Sequence, residues 1–485
     1  MLIKLIFAVI AAFLHINFCG FAYAEDKAPQ TASNSAQIKL CMDENQQPVS
    51  LEEVLRATLN NNYNIKIVST QKEQNRWTYY NTLTSFLPDF NGYFELARYN
   101  GSFFVGGVIP TTVISGGFPS TITTNNIRTG INAQWIGFNG FNRFFTASAA
   151  RSVYRAAKRN LDLTVDQALL LATRQYYTLL QARLDTEIRQ RALEETKAEL
   201  LINQQRFNAG VGTKFDVLRA EAQVESAVQN LISSFNNYRL AQAQLAYIAG
   251  FDVFSPLAPC SLEVKELNLF KDCLDLDNIR KIALKNKPEI DIARFNVAAA
   301  RASRNSGYSV YLPSVAVTTS VNGIGTEISN LSQNNIVALS LNWQGGRGLG
   351  LTGYTGIRAL NEQVKASKLS LINTTRGVEQ SIINSFYNIL TSREIIKATR
   401  SQVISAEESL RLARVRLQAG VGIYTDVIAA QLTETQARIN YLNSLISYNV
   451  SQVQLLYDMG IISADNILNG FDPKYEPNKK NGKQK

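Results

Sequence analysis

Histidine is nearly missing from this chain: the 485 residues contain one, His15. It lies in a segment with the form of a secretory leader, with Lys4, an apolar run from Leu5 to Leu14, and small Ala22 and Ala24 ahead of Glu25. Cleavage before Glu25 removes residues 1–24 and leaves no histidine. Histidine triads, HExxH metal sites and histidine general bases are then excluded. Cysteine is scarce too. Cys19 falls in the leader, where a lipidated cysteine is a second reading that bulky Phe18 disfavours. Cys41, Cys260 and Cys273 remain, in an exported and oxidising setting. Cys260 and Cys273 could be bridged or could stay free thiols, and their spacing matches no metal framework. No metal and no cofactor is expected.

Long apolar runs are absent as well. Beyond the leader no stretch supplies the ~20 apolar residues of a membrane-spanning helix, so any crossing must use strands. Only 18% of residues are charged, and the net charge of +10 becomes +9 once Lys4 is removed. The basic residues are scattered apart from the tail KYEPNKKNGKQK, which reads as disordered. Without a basic patch interleaved with aromatics, no nucleic-acid partner is expected.

What the chain does contain is a repetition. RFNAGVGTKFDV (Arg206 to Val217) returns as RLQAGVGIYTDV (Arg416 to Val427), 210 positions later. The register continues through Ala220/Ala430, Asn230/Asn440, Tyr238/Tyr448, Gln242/Gln452, Tyr247/Tyr457 and Gly250/Gly460, roughly 17 identities in about 45 positions. Upstream, Leu59/Leu284, Asn61/Asn286, Arg76/Arg301, Leu87/Leu312 and Pro88/Pro313 differ by 225. The chain therefore reads as a duplicated unit: leader 1–24, first repeat 25–250, connecting segment 251–275, second repeat 276–460 and a C-terminal segment 461–485.

Each repeat has the same order. An opening helix, Leu51 to Ser85 or Leu276 to Tyr308, ends before Pro88 or Pro313. Two strand-like segments follow, within about 87–138 and 312–344. They alternate with period two: Val337, Leu339, Leu341 and Trp343 oppose Ala338, Ser340, Asn342 and Gln344, and Val315, Val317, Thr319 and Val321 oppose Ala316, Thr318, Ser320 and Asn322. Ile131, Ala133 and Trp135 likewise oppose Asn132 and Gln134, and Phe90, Phe94 and Leu96 oppose Asn91, Tyr93 and Glu95. A soluble sandwich and a lipid-facing barrel with a wet lumen both show this pattern; Trp135, Phe138 and Trp343 would suit a membrane interface. Four strands cannot close a barrel alone, so a barrel must be shared between chains.

Two long helical stretches, about Phe144 to Phe207 and Thr355 to Leu417, contain no proline. Leu161, Val165, Ala168, Ala172, Tyr176 and Leu179 form an apolar stripe matched by Leu371, Thr375, Val378, Ile382, Phe386 and Ile389. Sixty residues make a rod of roughly 90 Å, which must pack lengthwise in a coiled coil. Glycine turns at about 208–214 and 418–424 would reverse each rod into a hairpin. Elsewhere the helix surface is polar but weakly charged, as for a solvated face or a wall with water on both sides.

These features together resemble a TolC-family outer-membrane factor. The paired turns followed by long helices carry the resemblance, with the strand-to-helix corners QWIGFNGFNR (Gln134 to Arg143) and SLNWQGGRG (Ser340 to Gly348). The resemblance implies a mainly α fold with a β-barrel part: a homotrimer whose four strands per chain form a twelve-stranded outer-membrane barrel, continued by a periplasmic α-helical tunnel. It implies an exit duct for efflux or type I secretion, fed by an inner-membrane transporter and a periplasmic adaptor protein. Gly210, Val211, Gly212, Gly420, Val421 and Gly422 would form adaptor-docking hairpin tips; as plain helix caps these glycines need no partner. Asp426 would belong to a carboxylate ring at the tunnel constriction and Asp216 to a gate, although either could be a helix N-terminal residue favoured by the dipole. The gate tyrosine and arginine of well-studied members would fall at Leu417 and Gly422, and their second ring aspartate at Ala429. None is present, so gate bonds would involve other groups such as Arg416 or Tyr424. The loops Thr111 to Asn126 and Thr326 to Asn335 would face the exterior.

Two other classes are weighed. Gly348, Gly350 and Gly353 make a GxGxxG between a strand and a helix, as in dinucleotide-binding enzymes. No acidic residue follows about 20 positions on, and a flexible corner accounts for the glycines; an enzyme is not expected. An exported coiled-coil adhesin or scaffold would explain the rods but not the strand pairs at matching places.

Overall fold

The computed structural model describes residues 46–101, 122–270, 275–343 and 350–471. The leader, Cys19, Cys41, Cys273, Gly348 and the basic tail lie outside them, as does most of the loop from Thr111. In chain order the elements are β1 (Gln47–Val49), α1 (Leu51–Asn61), α2 (Tyr63–Thr84), β2 (Asp89–Gly101), β3 (Ile122–Asn139), α3 (Asn142–Asn208) and α4 (Lys214–Ala249). Then come β4 (Leu257–Pro259), α5 (Leu276–Asn286), α6 (Pro288–Gly307), a 3-10 turn (Tyr308–Tyr311), β5 (Ser314–Gly325), β6 (Ser332–Asn342), α7 (Leu351–Gln418), α8 (Tyr424–Asp458) and α9 (Ala464–Asn469).

The opening helices, expected to be continuous, are each broken once. Asn62 has φ −59° and ψ 120°, and Lys287 has φ −62° and ψ 119°. At Lys287 the cause is Pro288, which disfavours helical geometry in the residue before it and begins α6. At Asn62 a side chain substitutes for proline: its Oδ1 accepts from the Asn64 and Ile65 amides at 2.9 and 3.2 Å. Its Nδ2 donates to the Ile248 carbonyl at 2.8 Å, tying the break to the end of α4.

α3 and α7 run for 67 and 68 residues, rods of ~100 Å. Each folds back on its partner, α3 on α4 and α7 on α8. The expected stripes face inward, with Ala168, Ala172, Tyr176 and Leu179 buried on α3 and Val378, Ile382 and Ile389 on α7. The connecting segment is held by side chains as well as by a short strand pairing. Asn449 and Gln452 of α8 accept from the Leu267 and Leu269 amides at 2.9 and 3.0 Å, and donate to the Lys265 and Leu267 carbonyls at 2.9 and 2.8 Å. β4 pairs in parallel with β1. In the C-terminal segment α9 buries Ile467.

β2, β3, β5 and β6 form one antiparallel sheet in the order β2-β3-β5-β6. Among the described residues no second sheet covers it, and Val337, Leu339 and Leu341 are 81%, 75% and 71% exposed. This removes the sandwich reading, because a sandwich buries one face of each sheet.

Candidate functional site

The sheet sorts its side chains cleanly. Registry places Phe90 opposite Ala133, Ile131 opposite Val321, Trp135 opposite Val317, and Val317 opposite Leu339. Directly opposed residues share a face, so the apolar positions of all four strands lie together. The other face carries Asn91, Tyr93, Glu95, Asn132, Ser320, Asn322 and Ser340. There the Tyr93 hydroxyl donates to Asn322 Oδ1 at 3.0 Å. A bulge between Ile136 and Phe138 shifts the register of β3 by one, placing Phe138 opposite Val315 on the apolar face with Trp135. Strict alternation would have sent Phe138 to the polar side.

Trp135 and Trp343, expected as interface aromatics, make hydrogen bonds that periodicity did not reveal. The Trp135 indole N–H donates to the Phe86 carbonyl at 3.1 Å, and that of Trp343 to the Tyr311 carbonyl at 3.3 Å. Phe86 and Tyr311 are 225 positions apart, the upstream spacing of the two halves. Each indole therefore anchors the foot of a strand to the end of an opening helix. Arg143 at the start of α3 adds to the first anchor by donating to the Ser85 and Ile136 carbonyls.

The hairpin tips have the same backbone. Gly210 has φ +75° and Gly420 φ +76°, left-handed values that follow the last helical turn. The amides of Val211 and Gly212 both donate to the Arg206 carbonyl at 3.0 Å, and those of Val421 and Gly422 to the Arg416 carbonyl at 3.1 and 3.0 Å. Gly212 and Gly422 are not left-handed. Glycine is needed there because a Cβ would meet the preceding helix, at 3.0 Å from Phe207 N and 2.9 Å from Arg416 C. Left-handed geometry thus accounts for one glycine of each pair and close approach for the other, correcting the expectation that all four play one part. Val211 and Val421 are 69% and 72% exposed at the apices.

The expected gate residues divide. The Asp216 amide donates to Thr213 Oγ1 at 3.1 Å, and the Thr213 hydroxyl donates to Asp216 Oδ2 at 2.7 Å, a reciprocal cap on α4. Asp426 occupies the matching place in α8 but follows Ile423, whose side chain caps nothing, and is exposed. Arg416 is exposed. Tyr424 is buried against Leu417 and Val427, and burial first, then Glu199 and Asp216, pushes its phenol up to about 12. It holds the hairpins together from within.

The side chains that join the two tips were missed in the sequence. Arg206 donates to the Leu417 carbonyl at 3.3 Å, and Arg219 donates to Thr425 Oγ1. Arg414 of α7 bridges Glu195 and Glu199 of α3 at 2.8 and 3.0 Å. Arg219 had a readable signal: its counterpart 210 positions on is Ala429, so the halves differ where one of them makes a bond.

Farther up the rods, Lys287 is buried beside Asp166, Glu289, Tyr457 and Asp458. Its ammonium donates to the Tyr457 carbonyl at 2.8 Å and lies 3.4 Å from Glu289 Oε1. Burial, Asp162 and Glu289 together outweigh Lys287 and push the Asp166 carboxyl up to about 7. Burial also raises Asp458. Cys260 is exposed, and its suggested partner Cys273 lies outside the described residues. Gly350, at φ +87°, caps the start of α7, while Gly348 of the GxGxxG lies outside the described residues. No group of potential metal ligands occurs among the described residues.

The comparisons with known proteins agree with this geometry. The family profile described as "Outer membrane efflux protein" matches residues 54–250 and 279–460. Outer membrane protein TolC of Escherichia coli K12 is 26% identical over 328 residues, covering 63% of this chain and 64% of its own. TolC of Salmonella enteritidis is 26% identical over 325 residues, and the chain spans 63% of its length. The Campylobacter jejuni CmeC outer membrane channel superposes with a TM-score of 0.72 at 17% identity, covering 84% of this chain and 85% of its own. The open-state Neisseria gonorrhoeae MtrE outer membrane channel gives 0.67 at 19% identity, covering 85% and 89%. With both halves matched by one profile across the strand pairs and the glycine-turned hairpins, the chain belongs to the outer membrane efflux protein family.

Proposed function

We propose that the chain is the outer-membrane exit duct of a tripartite efflux system, passing substrates from an inner-membrane transporter and a periplasmic adaptor to the exterior. The observation that carries this reading is the four-stranded sheet, with one apolar face exposed and an unpaired strand at each edge, β2 and β6. Unpaired edges seek strands, and exposed apolar faces seek lipid. Four strands from each of three copies supply the twelve of a closed barrel, with Trp135, Phe138 and Trp343 near its periplasmic rim. The ~100 Å hairpins would continue it as a water-filled tunnel whose tips reach the adaptor. Among the described residues no helix is long and apolar enough to cross a membrane, which leaves the crossing to the strands.

The bonds between the tips suit a gate. Arg219 to Thr425 and Arg206 to the Leu417 carbonyl hold one hairpin against the other, while Asp426 and Arg416 remain exposed. An exposed carboxylate repeated around the axis would favour cations at the constriction. Conductance of the purified chain in a planar bilayer tests the reading. Discrete, cation-preferring channels are expected; a membrane left unaltered by well-folded protein would turn the reading toward an exported scaffold. Drug efflux is distinguished from polypeptide secretion by which cargo accumulates when the chain is removed.

A further inference from the structure

Where the helices meet the sheet, the chain carries charge of one sign. Four segments adjoin the strands there: residues 76–88, 139–161, 295–313 and 350–361. Together they contain nine basic residues and no aspartate or glutamate, so most of the net charge of +10 gathers in this collar. Arg159 is held by Asp162 and Asp291, whereas the exposed Arg151, Arg155 and Lys158 have no carboxylate partner among the described residues.

Those three cations form a stripe on α3. They follow Phe144 at seven, eleven and fourteen residues, a spacing that keeps them on one face of a helix. Phe144 lies in the first turn and is 62% exposed. The duplication keeps the pattern: 210 positions on, Phe144, Arg155 and Lys158 become Tyr354, Lys365 and Lys368, and Tyr354 is 51% exposed. Arg358 joins this second stripe, with its guanidinium over the Tyr354 ring at 5.2 Å and donating to the hydroxyl at 2.9 Å. Lys365 is neutralised by Glu362 at 2.6 Å, which leaves Arg358 and Lys368 as the open charges of α7.

Both α2 and α6 pack along α3, so its flanks at this level are filled within the chain. The stripe on α3 therefore points away from the duct or into it. An exposed aromatic beside the apolar sheet, with cations below, is the order of a membrane interface and favours the outside. Direction adds to this. Both α3 and α7 begin at the sheet, and helical side chains lean toward the N-terminus of their own helix. The cations thus lean toward the strands.

We propose that the two stripes bind the headgroups of anionic phospholipid in the leaflet facing the periplasm, Arg151 and Arg358 nearest the phosphates and Lys158 and Lys368 beyond them. This rests on the sheet crossing the membrane, as proposed above. Arginine suits the nearer positions because its planar guanidinium grips phosphate through two hydrogen bonds. Lys158 lies seven residues below Arg151, ~10 Å, about one Debye length at physiological salt, so its pull is weaker.

The test measures binding of phosphatidylglycerol and phosphatidylcholine with matched acyl chains to the full chain in uncharged detergent, by native mass spectrometry, with channel recordings on the same protein. Phosphatidylglycerol should be preferred. Arg151→Gln with Arg358→Gln should cut the preference roughly thirtyfold, and Lys158→Gln with Lys368→Gln no more than about threefold. Arg151→Lys with Arg358→Lys should keep most of it. Equal binding of the two lipids by a wild type that forms channels overturns this inference and leaves the duct standing. A wild type without channels removes both. Displacement of the lipid by an equal concentration of inorganic phosphate would make this a free-anion site and also overturns it. So does a shift in ion selectivity of the glutamine pair Arg151→Gln and Arg358→Gln without loss of lipid preference, because the stripe would then line the lumen.

Discussion

The two hairpin tips share a backbone and differ in what their side chains do. Both have a left-handed glycine, a second glycine pressed against the helix, and two amides on one arginine carbonyl. The first tip closes on itself, with Thr213 and Asp216 capping each other, and reaches across to the second through Arg206 and Arg219. The second has Ile423 where a cap would be and Ala429 where an arginine would be. Duplication preserved what the turn requires and released the rest. One tip became the fastener and the other the exposed partner.

The largest effect expected from breaking this comparison concerns the glycines. A Cβ at Gly420 meets nothing within 4 Å. Gly420 has φ +76°, where any side chain is strained but aspartate less than most, so Gly420→Asp should fold and assemble at some cost in stability while its side chain obstructs docking at the apex, abolishing efflux in cells that rely on this channel. Gly422→Asp should instead disrupt the tip, because its Cβ lies 2.9 Å from Arg416 C. Protease nicking at the tip separates the outcomes; normal efflux by Gly420→Asp would contradict the docking role.

Next is the fastener. Arg219→Ala removes a bond from a charged donor, ~1.5 kcal/mol, so a closed tip should open about tenfold more often. Single-channel recordings would show longer openings, and unchanged gating would assign Arg219 to folding alone. Smaller is the cap. Thr213→Ala should cost about 1 kcal/mol, whereas Ile423→Thr should gain a similar amount by giving Asp426 the partner that Asp216 has. Opposite shifts in the thermal midpoint check the pair.

In pH dependence, the comparison sets the buried charges against their counterparts. Asp166 interacts with Lys287 and Glu289, and with Asp162 on its own helix, and burial first of all raises its carboxyl from 3.8 to about 7. The folded state therefore holds this proton more tightly than the unfolded chain does. Its stabilising contribution is present at acid pH and is lost as pH rises from 3.8 toward about 7. Asp166→Asn should flatten stability across that window. The matching position in the second half is Arg376, which has no carboxyl to protonate, so Arg376→Gln should leave the pH profile unchanged.

The elements were largely legible in the sequence because they follow from periodicity. The strand faces, the long rods and the positions of both turns were all predicted. The break at Asn62 was not, since its cause is a side chain reaching Ile248 from 186 positions away. The break at Lys287 was missed as well, although Pro288 marks it locally. The face that Phe138 occupies was not read from the sequence, as a bulge has no signature in alternation. The fastening residues escaped because Arg206, Arg219 and Arg414 are bonded only once two hairpins meet. Tyr424 shows the opposite error: a residue adjoining a turn suggests exposure, yet its ring fills the space between helices.

Single-particle imaging of the detergent-purified chain tests the central claim most directly. The account predicts a three-fold hollow cylinder well over ~100 Å long, with a twelve-stranded barrel at one end and six helical tips at the other. A compact monomer, or a rod with no lumen, would contradict it.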